Sequence, residues 1–284
     1  MNYLKYIKNK LSISADENII EKAVEYIGDD YPRKNHSKKG YEIVDEWIYK
    51  ILDKWSIQVN TVDYTKSTFL GKLIPRQGGF TINLNKNLYP TKKRFTLVHE
   101  IAHLLSYDTT KSWPVYSVYH SRLEELLCDK IARAILLPSS LIDFENFNLL
   151  EINDSQVNKI KSLWPEYKIS PWQIIQRFNE ELNQELLVGV YWKYFEDENC
   201  LKIIDHFQPK NIFIPKNKRV FVNNLFRKTR TNLSPEIAFN SRKLFNGEDV
   251  IELGSLYKKN LFSTVFPLET NNSSLKYVIQ LIKM

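Results

Sequence analysis

The spacing of apolar residues predicts helices through most of the first two thirds of the chain. An amphipathic stretch covers 3–27, and a clear helical stripe runs from 43 to 55. Further helices are predicted at 91–106, which starts just after a proline, and at 121–137, which a proline ends. A helix, a short turn and a second helix that begins at Ser170-Pro171 follow within 160–182.

Strand patterns frame these helices and then dominate the end of the chain. A weak alternating pattern covers 57–63, and 69–74 with 80–84 flank Gly78-Gly79 as a β-hairpin. Beyond residue 186 the predicted strands are 187–194, 201–206, 212–214, 220–222, 263–267 and 275–282. The pattern predicts an α+β protein with a helical extension at 1–39, a main domain at 40–183 and a smaller α+β domain at 184–284.

Composition places the chain among water-soluble globular proteins. Hydrophobic residues make up 43% and charged residues 26% of its 284 residues. No apolar stretch approaches the ~18 residues that span a bilayer, and no signal-peptide pattern follows the first lysines, so we expect a cytoplasmic protein with no membrane contact. Two isolated cysteines, Cys128 and Cys200, form neither a disulfide framework nor a zinc ribbon.

Positive charge is concentrated in one segment. Lysine and arginine number 40 against 33 acidic residues, a formal charge of +7, and 206–235 contains no acidic residue. Nucleic acid or an acidic protein would suit such a segment, although a solvated basic face is the interpretation we favour. Its basic residues are Lys210, Lys216, Lys218, Arg219, Arg227, Lys228 and Arg230.

One cluster within an apolar helical stretch carries candidate chemistry. His99, Glu100 and His103 form the pattern H-E-x-x-H. Residues four apart share a helix face, so the two imidazoles can bind one zinc ion, and Glu100 can reach a water molecule beside it. Burying this much polarity in an apolar segment without a ligand would be costly.

A catalytic zinc usually takes a third protein ligand. Thr109 and Ser106 stand where a third-histidine class would place histidine and glycine, so that class is excluded. On the 121–137 helix, Glu125 can serve as the ligand and Asp129, on the same face, can accept a hydrogen bond from a ligand histidine. Glu124 is expected to point about 100° away, toward solvent. His120 is the alternative third ligand.

The two predicted helices resemble the ImmA/IrrE family of zinc metallopeptidases. The similar blocks are 94–105, which contains H-E-x-x-H, and 125–138, whose family pattern is roughly E-x-x-A-N-x-F-A-x-x-L-L-x-P. Asp129 stands where that family has Asn or Asp; Cys128 replaces its Ala as an expected packing residue, and Ile131 replaces its Phe. The resemblance implies a zincin-like domain with zinc held by His99, His103 and Glu125 and Glu100 as general base.

The resemblance also implies a protein substrate, often a DNA-binding repressor encoded nearby. The connection after the motif offers candidate donors for a developing oxyanion, namely Tyr107, Tyr116, Tyr119 and His120. The predicted helix-turn-helix at 160–182 offers Gln173, Gln176 and Arg177 for DNA contacts, whereas Trp172 and Phe178 are expected in the core. The final domain is interpreted as a ligand-sensing or substrate-docking module.

Two functions remain open at the level of sequence. The chain is either an active zinc endopeptidase that cuts a regulatory protein, or a non-catalytic regulator that keeps the zinc fold as a scaffold for binding protein or nucleic acid. The presence of Glu100 favours the enzyme, because a scaffold needs no general base.

Overall fold

The computed structural model describes residues 3–14, 17–35, 37–64, 69–117, 122–144, 147, 149, 154–182, 187–195, 200–207, 219–221, 245–251, 259–269 and 276–283. The chain divides into two compact units. One comprises Met1–Phe144 with Ser162–Arg177, and the other comprises Glu145–Lys161 with Phe178–Met284. The predicted α+β class is confirmed.

Helices in the described residues follow the apolar spacing. They are α1 (Tyr3–Lys10), α2 (Ile19–Gly28), α3 (Gly40–Lys54), α4 (Pro90–Ala102), α5 (Arg122–Leu136), α6 (Asp154–Tyr167) and α7 (Pro171–Leu182). A 3₁₀ turn at His103–Ser106, here called the His103 turn, continues α4. None of these helices combines the length and the apolar character needed to cross a bilayer.

The amphipathic stretch predicted as helical over 3–27 contains two helices, α1 and α2. Ser12 has a φ of 52°, outside the helical region, and α2 begins only after Asn18. The Asn18 side chain accepts a hydrogen bond from the Ile20 N–H at 2.9 Å and thereby caps α2. The stretch is therefore two helices with separate ends.

A small mixed sheet stands beside α4. Its strands are β1 (Ile57–Val62), β2 (Gly71–Arg76) and β3 (Gly79–Asn85), in the order β1-β3-β2, with β1 parallel and β2 antiparallel to β3. The turn between β2 and β3 needs glycine, because a Cβ at Gly79 would lie 2.4 Å from the Ser56 carbonyl oxygen. A short antiparallel pair, β4 (Tyr107–Asp108) with β5 (Val115–Tyr116), follows the His103 turn.

Apolar residues of α4 and α5 form the core around the motif. Val98 and Ile101 of α4 and Leu104 of the His103 turn are fully buried, and so are Ile131 and Ile135 of α5. Because these positions recur at helical spacing, they hold the two helices face to face and leave the polar residues between them to converge.

The second unit contains a six-stranded antiparallel sheet in the order β8-β7-β6-β11-β10-β9. Its strands are β6 (Leu187–Phe195), β7 (Cys200–Phe207), β8 (Arg219–Phe221), β9 (Phe245–Ile251), β10 (Lys259–Glu269) and β11 (Lys276–Lys283). Strand β9 was not predicted from the sequence, and the predicted strand 212–214 lies outside the described residues.

Candidate metal centre

The motif histidines lie side by side at the end of α4. The two ring centroids are 5.0 Å apart and the ring planes are inclined by 74°. Potential ligand atoms of His99, Glu100 and His103 all lie within 4.8 Å of one another. One helical turn thus gathers two imidazoles and a carboxylate at one point.

The carboxylate of Glu125 in α5 faces the Nε2 atom of each imidazole ring. Its carboxylate oxygens lie 3.2 Å from His99 Nε2 and 3.7 Å from His103 Nε2. The Glu125 side chain is half exposed, whereas those of both histidines are largely buried. Two Nε2 atoms and one carboxylate form a nitrogen and oxygen donor set of the kind that zinc accepts.

The other ring nitrogen of each histidine, Nδ1, lies within hydrogen-bond distance of a second carboxylate. His99 Nδ1 lies 2.8 Å from Asp129 Oδ1, and His103 Nδ1 lies 3.0 Å from Glu124 Oε1. Donation from Nδ1 to a carboxylate fixes the ring orientation and favours the tautomer whose Nε2 lone pair is free for a metal. The residues therefore fit a metal ion at the point where the two Nε2 atoms meet Glu125.

The expectation that Glu124 points to solvent is wrong. Its side chain is 0% exposed. The Ser106 hydroxyl donates to its Oε1 at 2.6 Å, and the Tyr116 hydroxyl contacts both oxygens at 2.6 and 2.7 Å. Burial raises the pKa of this carboxyl group, but the hydrogen bonds from His103, Ser106 and Tyr116 outweigh it and lower the pKa to about 2.

Sequence reasoning missed Glu124 because it considered only the face that Glu125 and Asp129 share. The signal was present in the apolar stripe of α5, where Leu127, Cys128 and Ile131 are buried and stand three, four and seven residues after Glu124. A glutamate at the first position of a buried stripe needs donors close by. The His103 turn and β5 supply them.

Glu100 is held by the sheet and not by the histidines. It is buried, and its Oε2 accepts the backbone N–H of Leu73 in β2 at 2.8 Å. Gly71 permits this approach, since a Cβ there would lie 2.6 Å from Thr96 Cγ2 and 3.2 Å from Glu100 Cγ. Strand β2 thus fixes the direction of the Glu100 carboxylate.

Charge inside the cluster is balanced by the surrounding carboxylates. Burial lowers the pKa of His99, but its hydrogen bonds to Asp129 and Glu125 prevail and raise the pKa to about 10. Burial also raises the pKa of Cys128, whose Sγ lies 3.6 Å from His103 Nδ1. Cys128 is fully buried, as expected of a packing residue, and it faces the nitrogen that Glu124 already occupies.

The remaining predicted site residues fall into three groups. Tyr107 is buried and packs edge-on against Phe80 and Tyr116. Arg219 starts β8, and its side chain is not described. The candidates that lie outside the described residues are Tyr119, His120, Lys210, Lys216, Lys218, Arg227, Lys228 and Arg230.

The candidate DNA-reading residues of α7 make contacts within the protein. Arg133 of α5 donates to Gln173 Oε1 and Gln176 Oε1, each at 3.2 Å. Arg177 is buried and donates to the Leu137 carbonyl oxygen at 3.2 Å. Trp172 and Phe178 are buried, so their expected core positions are confirmed. The helix pair exists as predicted, but these contacts favour a structural role for α7.

A helix that presents H-E-x-x-H beside a small sheet, inside an α+β domain, defines the zincin-like class. Residues 53–179 match the family model described as the IrrE N-terminal-like domain, Peptidase_M78. The chain therefore contains an IrrE N-terminal-like domain, and the resemblance seen in the two motif helices is confirmed.

Comparisons with solved structures and with curated proteins give weaker similarity. A solved structure described as a Mycobacterium tuberculosis transcriptional regulator aligns with a TM-score of 0.48 and 12% identity, over 98% of this chain and 91% of that chain. No curated protein matches the chain.

Proposed function

We propose that the chain is a zinc-dependent endopeptidase that hydrolyses peptide bonds of a specific regulatory protein, with a DNA-binding repressor as the substrate class. The observation that carries the proposal is the convergence of His99 Nε2 and His103 Nε2 on Glu125, with a carboxylate behind each ring. The family match of 53–179 supports the same reaction class.

Glu125 and Glu100 both lie near the histidines, and we assign them different roles. Glu125 faces the two Nε2 atoms, which suits the third zinc ligand. Glu100 has Oε2 engaged by the Leu73 N–H, which suits a general base held beside the metal. Asp129 and Glu124 orient the two ligand histidines.

When bound, zinc would act as a Lewis acid that polarises the scissile carbonyl group and makes water more acidic. Glu100 would take a proton from water on Oε1 and return it to the nitrogen of the leaving amine. The developing oxyanion needs a further donor. The Tyr116 hydroxyl is engaged with Glu124, so Tyr107, Tyr119 and His120 remain the candidates.

The test compares the full chain with its Glu100→Gln variant. Both are loaded with one equivalent of Zn²⁺ and incubated with the DNA-binding protein encoded nearest to the gene, and cleavage is followed by mass spectrometry. We expect zinc content to be equal and cleavage by the variant to fall about 10²- to 10⁴-fold, the usual contribution of a general base.

Equal cleavage by both proteins would rule out Glu100 as the general base. Stoichiometric zinc in both proteins, with the DNA-binding protein bound and left intact, would favour the non-catalytic regulator. Nucleic acid as a partner is a second proposal that rests on the basic segment 206–235 alone. Duplex DNA binding that weakens with salt would support it.

A further inference from the structure

Helix α1 contacts the end of the motif helix through one lysine. Lys10 Nζ donates to the carbonyl oxygens of Leu104 at 3.3 Å and Leu105 at 3.0 Å, and also to that of Tyr107. The last carbonyl groups of a helix lack partners inside it and carry partial negative charge. Lys10 therefore caps the His103 turn from another element of the same unit.

The surroundings of Lys10 hold its ammonium group in place. The group lies 6.0 Å from the Tyr6 ring centre and 5.2 Å from that of Tyr26. Burial lowers the pKa of Lys10 to about 8, against the opposing effect of Asp108, so the side chain remains mostly charged at neutral pH. A charged donor for three carbonyl groups is stronger than a neutral one.

A second contact joins α1 to the metal-facing histidine. The Tyr3 hydroxyl lies 3.4 Å from Ser106 Oγ, and Tyr3 is buried. Because Ser106 gives its one hydrogen to Glu124, Tyr3 is the donor in its contact with Ser106. Glu124 in turn accepts from His103 Nδ1. Three hydrogen bonds thus connect α1 to the ring of His103.

We infer that α1 is a positioning element of the metal site, in which Lys10 and Tyr3 hold the His103 turn so that His103 Nε2 stays directed at His99 and Glu125. Helix α1 precedes the family match, which begins at residue 53. The inference rests on the proposed metal binding by His99, His103 and Glu125. Lys10 and Tyr3 are positioning residues that act through Leu105 and Ser106.

The test measures zinc affinity of the full chain by competition with a chromophoric chelator. Lys10→Met keeps the apolar stem and removes the ammonium group, and Lys8→Met is the matched control because Lys8 is an exposed lysine of the same helix. We expect Lys10→Met to weaken zinc binding about tenfold, the lower end of the effect of losing a group that orients a ligand, and Lys8→Met to leave it unchanged.

Two further measurements separate positioning from general stability. If α1 only stabilises the fold, its variants should lower Tm and leave the zinc affinity and the visible spectrum of the Co²⁺-loaded protein unchanged. If the variants displace His103, the zinc affinity and the Co²⁺ spectrum should both change. Tyr3→Phe removes one hydroxyl and is expected to weaken zinc binding a few-fold, in line with one hydrogen bond. If Lys10→Met does not fold, Tyr3→Phe decides.

Wild-type zinc affinity and Co²⁺ spectrum in a folded Lys10→Met variant would overturn the inference, as would the same result for Tyr3→Phe when Lys10→Met does not fold. His99→Ala in the same assay separates this outcome from failure of the proposed function. If His99→Ala loses zinc while the α1 variants keep it, only the role of α1 is wrong. If His99→Ala binds zinc as tightly as the wild type, the metal site itself is wrong.

Discussion

Each histidine of the candidate metal centre has its own carboxylate partner, and the two partners differ in burial. Asp129 lies at a partly exposed position beside His99, whereas Glu124 is fully enclosed beside His103. An enclosed carboxylate with three donors is held more rigidly than an exposed one. We therefore expect zinc affinity to depend more strongly on Glu124 than on Asp129.

Replacing Glu124 by Gln keeps the shape of the side chain and removes its charge. The donors on His103, Ser106 and Tyr116 then compete for one neutral oxygen, so His103 loses its fixed orientation. We expect zinc affinity, measured by chelator competition, to fall about 10- to 100-fold. Glu25→Gln, at an exposed glutamate of α2, is the control and should bind zinc normally. Unchanged affinity in Glu124→Gln would show that this carboxylate does not orient the ring.

Site residues can be predicted from the sequence where spacing within one helix sets their positions, but not where contacts between distant elements do. His99, Glu100 and His103 are predictable because one helical turn sets their spacing. Glu125 and Asp129 follow from the next helix by the same rule. The burial of Glu124 could be read from the apolar stripe of α5, but its donors lie on other elements. The contacts of Lys10 also join elements far apart in sequence, since 94 positions separate Lys10 from Leu104. No local pattern records such contacts.

At the scale of elements, β2 links the sheet to the chemistry of α4. The strand pairs with β3 on one edge and donates the Leu73 N–H to Glu100 on the other. The hairpin itself was predictable from Gly78-Gly79 between two apolar runs. Its contact with Glu100 was not, because a strand pattern does not say which helix its free edge meets.

Gly71→Ala tests this contact. The added Cβ would lie 2.6 Å from Thr96 Cγ2, closer than non-bonded carbon atoms approach, so either Thr96 of α4 or β2 must shift. We expect a loss of stability of about 1–3 kcal/mol by denaturant unfolding and reduced peptide cleavage, with zinc affinity retained because the histidines are untouched. Gly78→Ala is the control for an added methyl group in open space, although its φ of 72° adds backbone strain. Full cleavage by Gly71→Ala would separate β2 from the reaction.

The ends of elements were the weaker part of the prediction. The stretch 3–27 was predicted as helical with no internal boundary, and Asn18 caps a separate α2 within it. The helical spacing of apolar residues continues across the boundary between the two helices, so the spacing alone does not indicate that boundary. The asparagine before Ile19 is an N-cap signal that does indicate it. Strand β9 was missed because its sequence, FNGEDVI, contains glycine and acidic residues that are rare in strands.

At the scale of the whole molecule, the compact unit that holds the site extends beyond the family match. The match covers 53–179, but the unit begins at Met1. Residues upstream of the match fill its core, and Ile7, Ile27, Val44 and Ile51 are essentially fully buried. Burial of each such side chain contributes about 1.5–3 kcal/mol, so the segment 1–52 is part of the domain in energetic terms.

Two shortened proteins test this reading of the domain. A chain of residues 53–284 should fail to fold cooperatively and should lose zinc binding, because removal of α1–α3 exposes the apolar face they cover. A chain of residues 1–182 retains every residue named in the metal site and should bind zinc with near wild-type affinity. Circular dichroism melts and zinc competition check both. Normal zinc binding by 53–284 would contradict the role given to the first 52 residues.

X-ray absorption at the zinc edge of the loaded full chain tests the central claim most directly. Binding by His99, His103 and Glu125 predicts nitrogen and oxygen neighbours at about 2.0–2.2 Å, with the outer-shell scattering of two imidazoles and no sulfur. A sulfur neighbour at about 2.3 Å would bring Cys128 or Cys200 into the site. That result, or a spectrum without imidazole scattering, would contradict the metal centre proposed for this protein.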